Sequence, residues 1–528
     1  MRSPGARPPK LVLCVIDAMA PEMLERAVAA GNAPTLAALM ERGLYVPDCV
    51  AAFPSVTPVC AASIVTGTWQ DRHKIPGMCW YDRAEQRYVE YGSSFRASQR
   101  VGLTRQLTDT VYNMNGVHLS RGTPTVFELL DDRDIRTAGT TYLMYRGRHR
   151  HEPQRDSALT RIASALLRHP VMGPRELFYA DIFASRRTGC RSTLGMPGVR
   201  DQHSGCVSAY MVEHDLFDFL LLSLPDNDWH SHRAGPEGQV RSIALADEQL
   251  ARVMDAGGGV DRFLQEHAMI VMADHSQAPI DTGVTLADAF SELGVLVAGS
   301  RGGNRATRRG SGPEGESTGT EHARNASRSE SSRSERAQIA VCPSQRAAMI
   351  YVLDEEERER LRPKVLRRAL QIDGVELVMW LERDAHGSAM EAAIASPGGS
   401  ELRFSPDGDL EDPGGRAWSV EGSAEPLRAE AHSGRFITPD HPQILERVWS
   451  ALNCSTSGDV LLSASPGHEF VDLGGQAHVG GGSHGSLRGE DSLGALILCG
   501  VHIPHVPEQW SIRDIAALVG NHFAPEVR

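Results

Sequence analysis

Short apolar runs alternate along this chain with segments whose apolar residues recur at helical spacing. Four of the runs, Lys10–Ile16, Phe217–Leu224, Ala268–Ala273 and Ala495–Cys499, contain few polar residues, which is typical of strands buried on both faces. Segment Arg241–Ala256 places its apolar residues on one face of a helix. Strands that alternate with helices predict an α/β fold, with a mostly parallel sheet flanked by helices.

Two further helices are predicted directly after the first strand. One begins at Pro21 and is broken by Gly31, and the other begins near Pro34 and ends at Gly43. In a parallel sheet, the residues that follow the carboxyl ends of the strands lie at one edge. We therefore expect functional side chains to follow the predicted strands.

The composition of the chain changes at about residue 301. Arg301–Ala337 is rich in Gly, Ser, Arg and Glu and contains almost no apolar residues, which predicts a disordered insertion. After it, Gln338–Leu353 and Val375–Trp380 are strand-like and Asp354–Leu370 is a charged helix candidate. Gly399–Gly422 is turn-rich and polar.

These changes divide the chain into four segments. We expect the first part of a core over residues 1–300, the disordered insertion over 301–337, a smaller α+β lobe or cap over 338–440, and the final part of the core over 441–528. Sheet residues resume near Glu469–Val471, in the last segment. The predicted architecture is one α/β core that carries a smaller lobe.

Charge and cysteine content narrow the possible partners and locations. The net charge of −13 argues against stable nucleic-acid binding but not against a nucleotide substrate, because bound metal ions can supply positive charge. The apolar run Leu11–Ile16 is too short for a signal peptide, and no run approaches the roughly 20 apolar residues of a membrane span, so a cytoplasmic location without membrane contact is expected. The nine cysteines include no C-x-x-C pair, which predicts buried or free thiols rather than a disulfide framework.

Oxygen and nitrogen donors follow several of the predicted strands. Asp17 follows the first strand, where a carboxylate could cap the next helix or bind a metal ion. Asp274 and His275 follow another strand, and His484 stands in a glycine-rich loop. The densest cluster is residues 226–232, DNDWHSH, which contains two overlapping D-x-x-x-H pairs between which spacing alone cannot choose. Such donors, close after buried strands, favour a metal site.

Thr57 lies in the segment FPSVTPVCAASIVTG, residues 53–67. A threonine at a helix N-terminus has backbone N–H groups directed at any nearby phosphate. A metal ion could lower the pKa of its hydroxyl and make it a nucleophile. An ordinary turn that enters a helix would explain the same composition.

The order of these motifs resembles the type I phosphodiesterase/nucleotide pyrophosphatase family, within the alkaline phosphatase superfamily. The resemblance covers Leu11 to about His73, Phe217 to about Pro279, and Gly481 to about Ser492. In the family pattern the nucleophilic threonine stands ten residues before the Gly of a T-G pair, which selects Thr57, ten before Gly67, over Ser55.

The other family motifs match in the same way. The pattern D-x-x-x-H-x-x-G-P selects Asp228 and His232 over Asp226 and His230. The D-H-G motif matches Asp274 and His275, with a serine in place of the glycine, and the late H-G motif matches the histidine and glycine at 484–485.

The resemblance implies an alkaline phosphatase-like core and two divalent metal ions, zinc or alternatively manganese. It assigns one ion to Asp228, His232 and His484, and the other to Asp17, Asp274 and His275, with Thr57 bridging to the second. It implies attack by Thr57, a phosphothreonine intermediate and then hydrolysis.

One position departs from the family pattern. Many members carry Asn three residues after the nucleophile, where its amide can contact a phosphate oxygen, whereas this chain has Cys60, whose thiol is a weak donor. Cys60 and His73, which matches a histidine of the pattern, are therefore candidate substrate-binding residues, and a residue of Met78–Tyr81 is a further candidate.

We therefore expect metal-dependent hydrolysis of phosphate diesters or nucleotide pyrophosphate bonds, with a small phosphorylated substrate such as a nucleotide. The alternatives are a phosphomonoesterase or phosphonate hydrolase on the same fold, and a metal-binding module with weak catalysis. A sulfatase mechanism is excluded because Thr57–Cys60 does not provide the C/S-x-P-x-R motif.

Overall fold

The apolar run Lys10–Ile16 forms a central strand of the first of two main sheets in the computed structural model, which describes residues 8–155, 167–179, 182–191, 193, 195–299, 337–384 and 386–524. The strands of the first part of the chain are β1 Lys10–Ile16, β2 Leu44–Val50, β3 Cys79–Asp82, β4 Arg87–Glu90, β5 Thr137–Thr140, β6 His149–His151, β7 Val171–Gly173, β8 Glu176–Tyr179, β9 Phe183–Ala184, β10 Phe219–Leu224, β11 His267–Met272 and β12 Ala278–Val284. Those of the second part are β13 Ile339–Ser344, β14 Ala347–Val352, β15 Val375–Arg383, β16 Ala389–Ala395, β17 Glu401–Glu411, β18 Ala417–Gly422, β19 Glu430–His432, β20 Arg435–Ile437, β21 Val460–Ala464, β22 Gly467–Phe470, β23 Gly482–Ser483 and β24 Leu493–Cys499.

Helices connect and cover these strands. They are α1 Pro21–Ala29, α2 Pro34–Arg42, α3 Thr57–Thr66, α4 Gln70–His73, α5 Phe95–Val101, α6 Leu103–Thr108, α7 Val126–Asp131, α8 Arg200–Glu213, α9 Asp226–Ala234, α10 Gln239–Ala256, α11 Val260–Glu266, α12 Leu286–Ala289, α13 Arg358–Ala369, α14 Ile444–Leu452, α15 Gly489–Ser492 and α16 Asp514–His522. A π-helix spans Asp109–His118. The predicted bounds of α1, α2 and α10 agree with these to within two residues.

The first sheet has eight strands in the order β2-β24-β11-β1-β10-β5-β8-β9. The five strands from β11 to β8 are parallel, and the edge strands pair antiparallel. The predicted fold class, α/β with a mostly parallel sheet flanked by helices, is therefore confirmed. The carboxyl ends of β1, β10 and β11 lie side by side.

Side chains of β1 alternate between the two layers that cover the sheet. Leu11 and Leu13 pack into the core cluster that contains Val59 of α3. Val12 and Cys14 pack on the opposite face, in the cluster that contains residues of α1, α2 and α10. Burial on both faces explains why this strand reads as a continuous apolar run.

The second large sheet has nine strands and is almost entirely antiparallel, in the order β13-β14-β21-β15-β16-β17-β20-β19 with β18 beside β17. The turn-rich, polar segment Gly399–Gly422 forms strands β17 and β18 of this sheet. These strands bury Leu402, Phe404 and Trp418 and expose many of the polar residues between them, so their polarity reflects an outward face rather than a loop.

The strand-like segment Gln338–Leu353 forms a hairpin rather than a single strand. β13 and β14 pair antiparallel, and the chain reverses at Gln345, whose φ is +60°. β21 lies between β14 and β15, so residues beyond 440 complete this sheet.

The predicted insertion 301–337 lies outside the described residues except for Ala337. The division into domains stays a prediction.

The structure tests the expectation that the cysteines are free or buried thiols. Cys190 and Cys206 form a disulfide, so the expectation of thiols is wrong for this pair, while the other seven cysteines are buried and free. Folding places the segment before α8 against that helix, a proximity that a separation of 16 residues does not signal. Within the described parts of the chain, no helix is both long and apolar enough to cross a membrane.

Candidate active site

Neighbouring strand ends bring most of the predicted donors to one edge of the first sheet, which is mostly parallel. Asp17 follows β1, Asp274 and His275 follow β11, and α9, which carries Asp228 and His232, follows β10. Because β10 and β11 both pair with β1 in parallel, these side chains leave the sheet at the same edge.

Two donors come from outside these strands. Thr57 is the first residue of α3, which ends at Gly67 in a left-handed conformation with φ +64°. His484 follows β23, which pairs with β12 and so lies beside the segment after β11. The structure therefore brings together all seven residues that the motifs selected.

Helix α9 separates the two overlapping D-x-x-x-H pairs. Asp228 and His232 lie one turn apart, with His232 Nε2 3.3 Å from Asp228 Oδ2. Asp226 instead accepts hydrogen bonds from the backbone N–H of Gly198 at 2.8 Å, Arg200 Nε at 2.9 Å and the backbone N–H of Asp201 at 3.0 Å. Asp226 therefore anchors the start of α8, and Asp228 faces the centre of the site.

Each of the three histidines has its orientation fixed by a backbone carbonyl. The Nδ1–H groups of His232, His275 and His484 donate to the carbonyl oxygens of Gly482 at 2.8 Å, Ser276 at 3.1 Å and Ser55 at 2.7 Å, respectively. A neutral imidazole with a proton on Nδ1 has an acceptor lone pair on Nε2. All three Nε2 atoms are thus prepared to bind an electrophile, as in histidine-ligated metal sites.

Acceptor atoms converge at two points. His484 Nε2 lies 3.4 Å from Asp228 Oδ1. His275 Nε2 lies 3.6 Å from Asp17 Oδ1 and 3.6 Å from Asp274 Oδ2. Lone pairs that face one another at these distances repel unless a cation lies between them.

Two groups of ligand atoms are close enough to share an ion. The atoms of Asp17, Asp274 and His275 all lie within 4.8 Å of one another, and so do those of Asp228, His275 and His484. The first group is the one that the family motifs imply. In the second group His275 replaces His232, although His232 contacts Asp228 and its ring centroid lies 5.1 Å from that of His484.

The Thr57 hydroxyl lies beside the first of these groups. Its Oγ1 is 3.3 Å from His275 Nε2, to which it can donate a hydrogen bond. The side chain of Thr57 is partly exposed, while the residues around it in α3 are buried. A substrate can therefore reach the hydroxyl.

The electrostatics of the site favour a bound cation. Burial raises the pKa of the Asp17 carboxyl well above its ordinary value, and the charges of Asp274 and Asp228 raise it further. Burial and the adjacent His275 lower the pKa of His484 well below its ordinary value, so its imidazole is neutral. Divalent ions offset the repulsion among the three carboxylates and bind neutral imidazole.

Unsatisfied buried atoms test whether metal ions fit this site. Asp17 Oδ1, Asp274 Oδ2 and His484 Nε2 are buried and have no hydrogen-bond partner among the residues that the structure describes. Such atoms are rare in folded proteins and call for an explanation such as an ion. Carboxylate oxygen and imidazole nitrogen are donors that suit zinc and manganese. The donor set therefore fits two divalent ions.

Three further side chains contact the donors and were not selected from the sequence. Gln277 Nε2 donates to Asp228, Gln345 Nε2 lies 3.4 Å from His232 Nε2, and His478 stacks on the ring of His232 at 4.0 Å. His478 Nδ1 also lies 2.8 Å from Glu469 Oε1. Their positions depend on tertiary contacts, and the sequence around them carries no motif.

Cys60 and His73, the candidate substrate contacts, are both fully buried. His73 Nε2 lies 3.2 Å from Ser63 Oγ, and its Nδ1 accepts the N–H of Ile75 at 3.1 Å. Burial, with a smaller effect of Lys74, lowers the pKa of His73 to about 3, so the ring is neutral. These contacts give His73 a packing role and leave no ring nitrogen for a substrate, which corrects that expectation.

Comparison with known proteins places these observations in context. A family model described as type I phosphodiesterase / nucleotide pyrophosphatase matches residues 11–383. No curated protein sequence matches the chain.

Solved structures resemble the chain over nearly its whole length. Phosphonoacetate hydrolase from Sinorhizobium meliloti 1021, in complex with phosphonoformate, is 16% identical with a TM-score of 0.53, over 99% of this chain and 98% of that chain. Human ectonucleotide pyrophosphatase / phosphodiesterase 5 is 11% identical with a TM-score of 0.52, over 97% and 94%. An inactive variant of the murine protein in complex with AMP is 10% identical with a TM-score of 0.51, over 98% and 95%. At sequence identities this low, the similarity to these structures shows only that the folds are alike.

Proposed function

The chain belongs to the type I phosphodiesterase / nucleotide pyrophosphatase family of phosphoric ester hydrolases, and we propose that it hydrolyses phosphate diesters or nucleotide pyrophosphate bonds with Thr57 as nucleophile. The substrate is a small phosphorylated molecule, such as a nucleotide. Zinc as the metal and a cytoplasmic location stay predictions.

The convergence of unsatisfied acceptor atoms beside the Thr57 hydroxyl carries this proposal. We assign one divalent ion to Asp228, His232 and His484, and the other to Asp17, Asp274 and His275 with Thr57. Bound there, the ions would act as Lewis acids that lower the pKa of the hydroxyl and offset charge on the phosphoryl group. This assignment agrees with the contacts of each donor and with the charge of the three carboxylates.

Thr57 performs the covalent step in this proposal. Its Oγ1 forms a bond to phosphorus while the bond from phosphorus to the leaving oxygen breaks, the hydroxyl proton passes to solvent water, and the leaving oxygen departs as an alcohol or its anion. His275 Nε2 lies 3.3 Å from Oγ1, which places the hydroxyl beside the donors assigned to the second ion. Water then attacks the phosphothreonine, which releases the phosphate monoester and regenerates Thr57. The N-terminal position of Thr57 in α3 places the positive end of the helix dipole beside the phosphate.

A cavity beside the site favours a diester over a carboxylate-bearing phosphonate. It has a volume of about 100 Å³ and is lined by Ser93, Ser94, Gln345, Glu469, Phe470, Asp472, Gln476, Ala477 and His478. Gln345 and His478 connect it to His232. This described lining contains two carboxylates and neither Lys nor Arg, so it suits an uncharged leaving group better than the carboxylate of phosphonoacetate.

Three substrates test the proposal. We expect the protein loaded with zinc or manganese to hydrolyse bis-p-nitrophenyl phosphate faster than p-nitrophenyl phosphate or phosphonoacetate, and a chelator to abolish the activity. Thr57→Ala should be inactive. Thr66→Ala, at the other end of α3, should retain activity because its hydroxyl donates within the helix to the carbonyl of Ala62 at 2.6 Å.

Other outcomes would assign a different function. Faster release of phosphate from the monoester would make the protein a phosphomonoesterase, and cleavage of phosphonoacetate alone would make it a phosphonate hydrolase. Diester hydrolysis that survives both the chelator and Thr57→Ala would contradict the mechanism.

A further inference from the structure

Tyr142 has a buried hydroxyl that forms no hydrogen bond with any residue the structure describes. It lies two residues beyond β5, which pairs in parallel with β10, so it is at the same edge of the sheet as the donors of the active site. The residue is 5% exposed, and its hydroxyl has no hydrogen-bond partner within the described ranges. A buried tyrosine hydroxyl ordinarily has one.

The backbone before Tyr142 is held in a costly conformation. Thr141 has φ +55°, in the left-handed region that β-branched residues strongly disfavour. Two contacts hold it there: its N–H donates to the carbonyl of Phe178 at 2.9 Å, and Ser204 Oγ donates to its Oγ1 at 2.8 Å. Such strain concentrates at functional sites, and here it turns the chain out of the strand direction.

This turn places the Tyr142 ring in the core cluster that also contains Val56 and Cys60, on either side of Thr57. Burial raises the pKa of the Tyr142 hydroxyl well above its ordinary value, and the charges of the Asp274 and Asp17 carboxylates raise it further. It therefore keeps its proton and remains a hydrogen-bond donor beside the carboxylates of the site.

We propose that the Tyr142 hydroxyl donates a hydrogen bond to a non-bridging oxygen of the phosphoryl group while Thr57 attacks it. The inference rests on the proposed function and extends it by naming a catalytic residue. The Cys60 thiol is a weak donor, so a stronger donor must come from another element. Tyr142 supplies a neutral hydroxyl in a place where water is excluded, which strengthens such a bond.

Two matched variants separate catalysis from folding. Tyr142→Phe removes a hydroxyl that forms no hydrogen bond with the described residues, so the melting temperature should not fall. The kcat for the diester should fall by about 10²-fold, as for loss of one oxyanion donor. Tyr145→Phe, three residues later and equally buried, removes a hydroxyl that donates to the carbonyl of Val111. It should melt at a lower temperature and keep wild-type kcat.

Metal content and Thr57→Ala complete the experiment. The inference requires Tyr142→Phe to bind metal as tightly as wild type, measured by competition with a chromogenic chelator. Wild-type kcat in Tyr142→Phe would overturn it, and so would weaker metal binding that accounts for the lost activity. If Thr57→Ala is inactive while Tyr142→Phe is fully active, only this inference fails; if Thr57→Ala is fully active, the proposed function fails with it.

Discussion

Asp226 and Asp228 stand two residues apart on α9, and exchanging each for asparagine should produce opposite effects. Asp228→Asn removes one of the three carboxylates that face the centre of the site. We expect loss of bound metal and of diester hydrolysis, with a melting temperature no lower than that of the metal-free wild type, because repulsion with Asp17 is relieved.

Asp226→Asn should instead lower stability and spare metal binding. The carboxylate accepts three hydrogen bonds, from the backbone N–H groups of Gly198 and Asp201 and from Arg200 Nε. Asparagine has one acceptor oxygen, so at least one of these donors faces an amide N–H₂ instead. Loss of a hydrogen bond to a charged group costs about 1.5–3 kcal/mol.

This cost converts into a measurable shift. At about 2.1 cal/mol/K per residue, the 528 residues of the chain give an unfolding entropy of about 1.1 kcal/mol/K. The loss then lowers the melting temperature by about 1.5–3 °C, which differential scanning calorimetry resolves. Metal content by plasma mass spectrometry and hydrolysis of bis-p-nitrophenyl phosphate complete the assay. An Asp226→Asn protein that melts like wild type but lacks metal would refute this account of α9.

Further predictions concern the nucleophile, a buried acid and a support of the metal site. Thr57→Ala should lower turnover by at least about 10³-fold without changing metal content; equal turnover would exclude Thr57 as nucleophile. Burial and Asp226 raise the pKa of Asp201 to about 8, so the native state holds a proton that the unfolded chain loses near pH 3.9. Stability should therefore fall between about pH 4 and pH 8, and Asp201→Asn should resist urea better than wild type at pH 8 but not at pH 4. Gln277→Ala should weaken metal affinity by about 10- to 100-fold, because Gln277 donates to Asp228. Unchanged affinity in a chelator titration would show that Gln277 does not hold Asp228 in place for the metal ion.

The parallel core was predictable because its signals are local. Lys10–Ile16 reads as a strand buried on both faces, and the structure buries it on both faces. Once strands such as β1 and β11 are identified, the parallel architecture places the residues after them at one edge. Asp17 and Asp274 could therefore be expected to meet although they lie far apart in the sequence. The structure agrees, because the backbone N–H of Ala18 donates to the Asp274 carboxylate across a separation of 256 residues.

Other parts of the site depend on contacts that no local pattern contains. The residues alone could not rank Asp228 over Asp226, because the difference lies in hydrogen bonds from Gly198 and Arg200 at the start of α8. Gln345 reaches His232 from the tip of a hairpin in the second sheet.

The second sheet shows the same limit for secondary structure. Turn-forming and polar residues over Gly399–Gly422 indicate loops when read locally. Neighbouring strands nevertheless pair with this segment and bury one face of it, as at Phe404 and Trp418. Tertiary pairing thus overrides local preference, as is common for strands.

Anomalous diffraction at the zinc edge, from crystals grown with zinc, would locate the metal ions among the donors of the active site. We expect two peaks beside Thr57, one bounded by Asp228, His232 and His484 and the other by Asp17, Asp274 and His275. A map without peaks at these donors, or with zinc held elsewhere, for example by His478 and Glu469, would contradict this expectation.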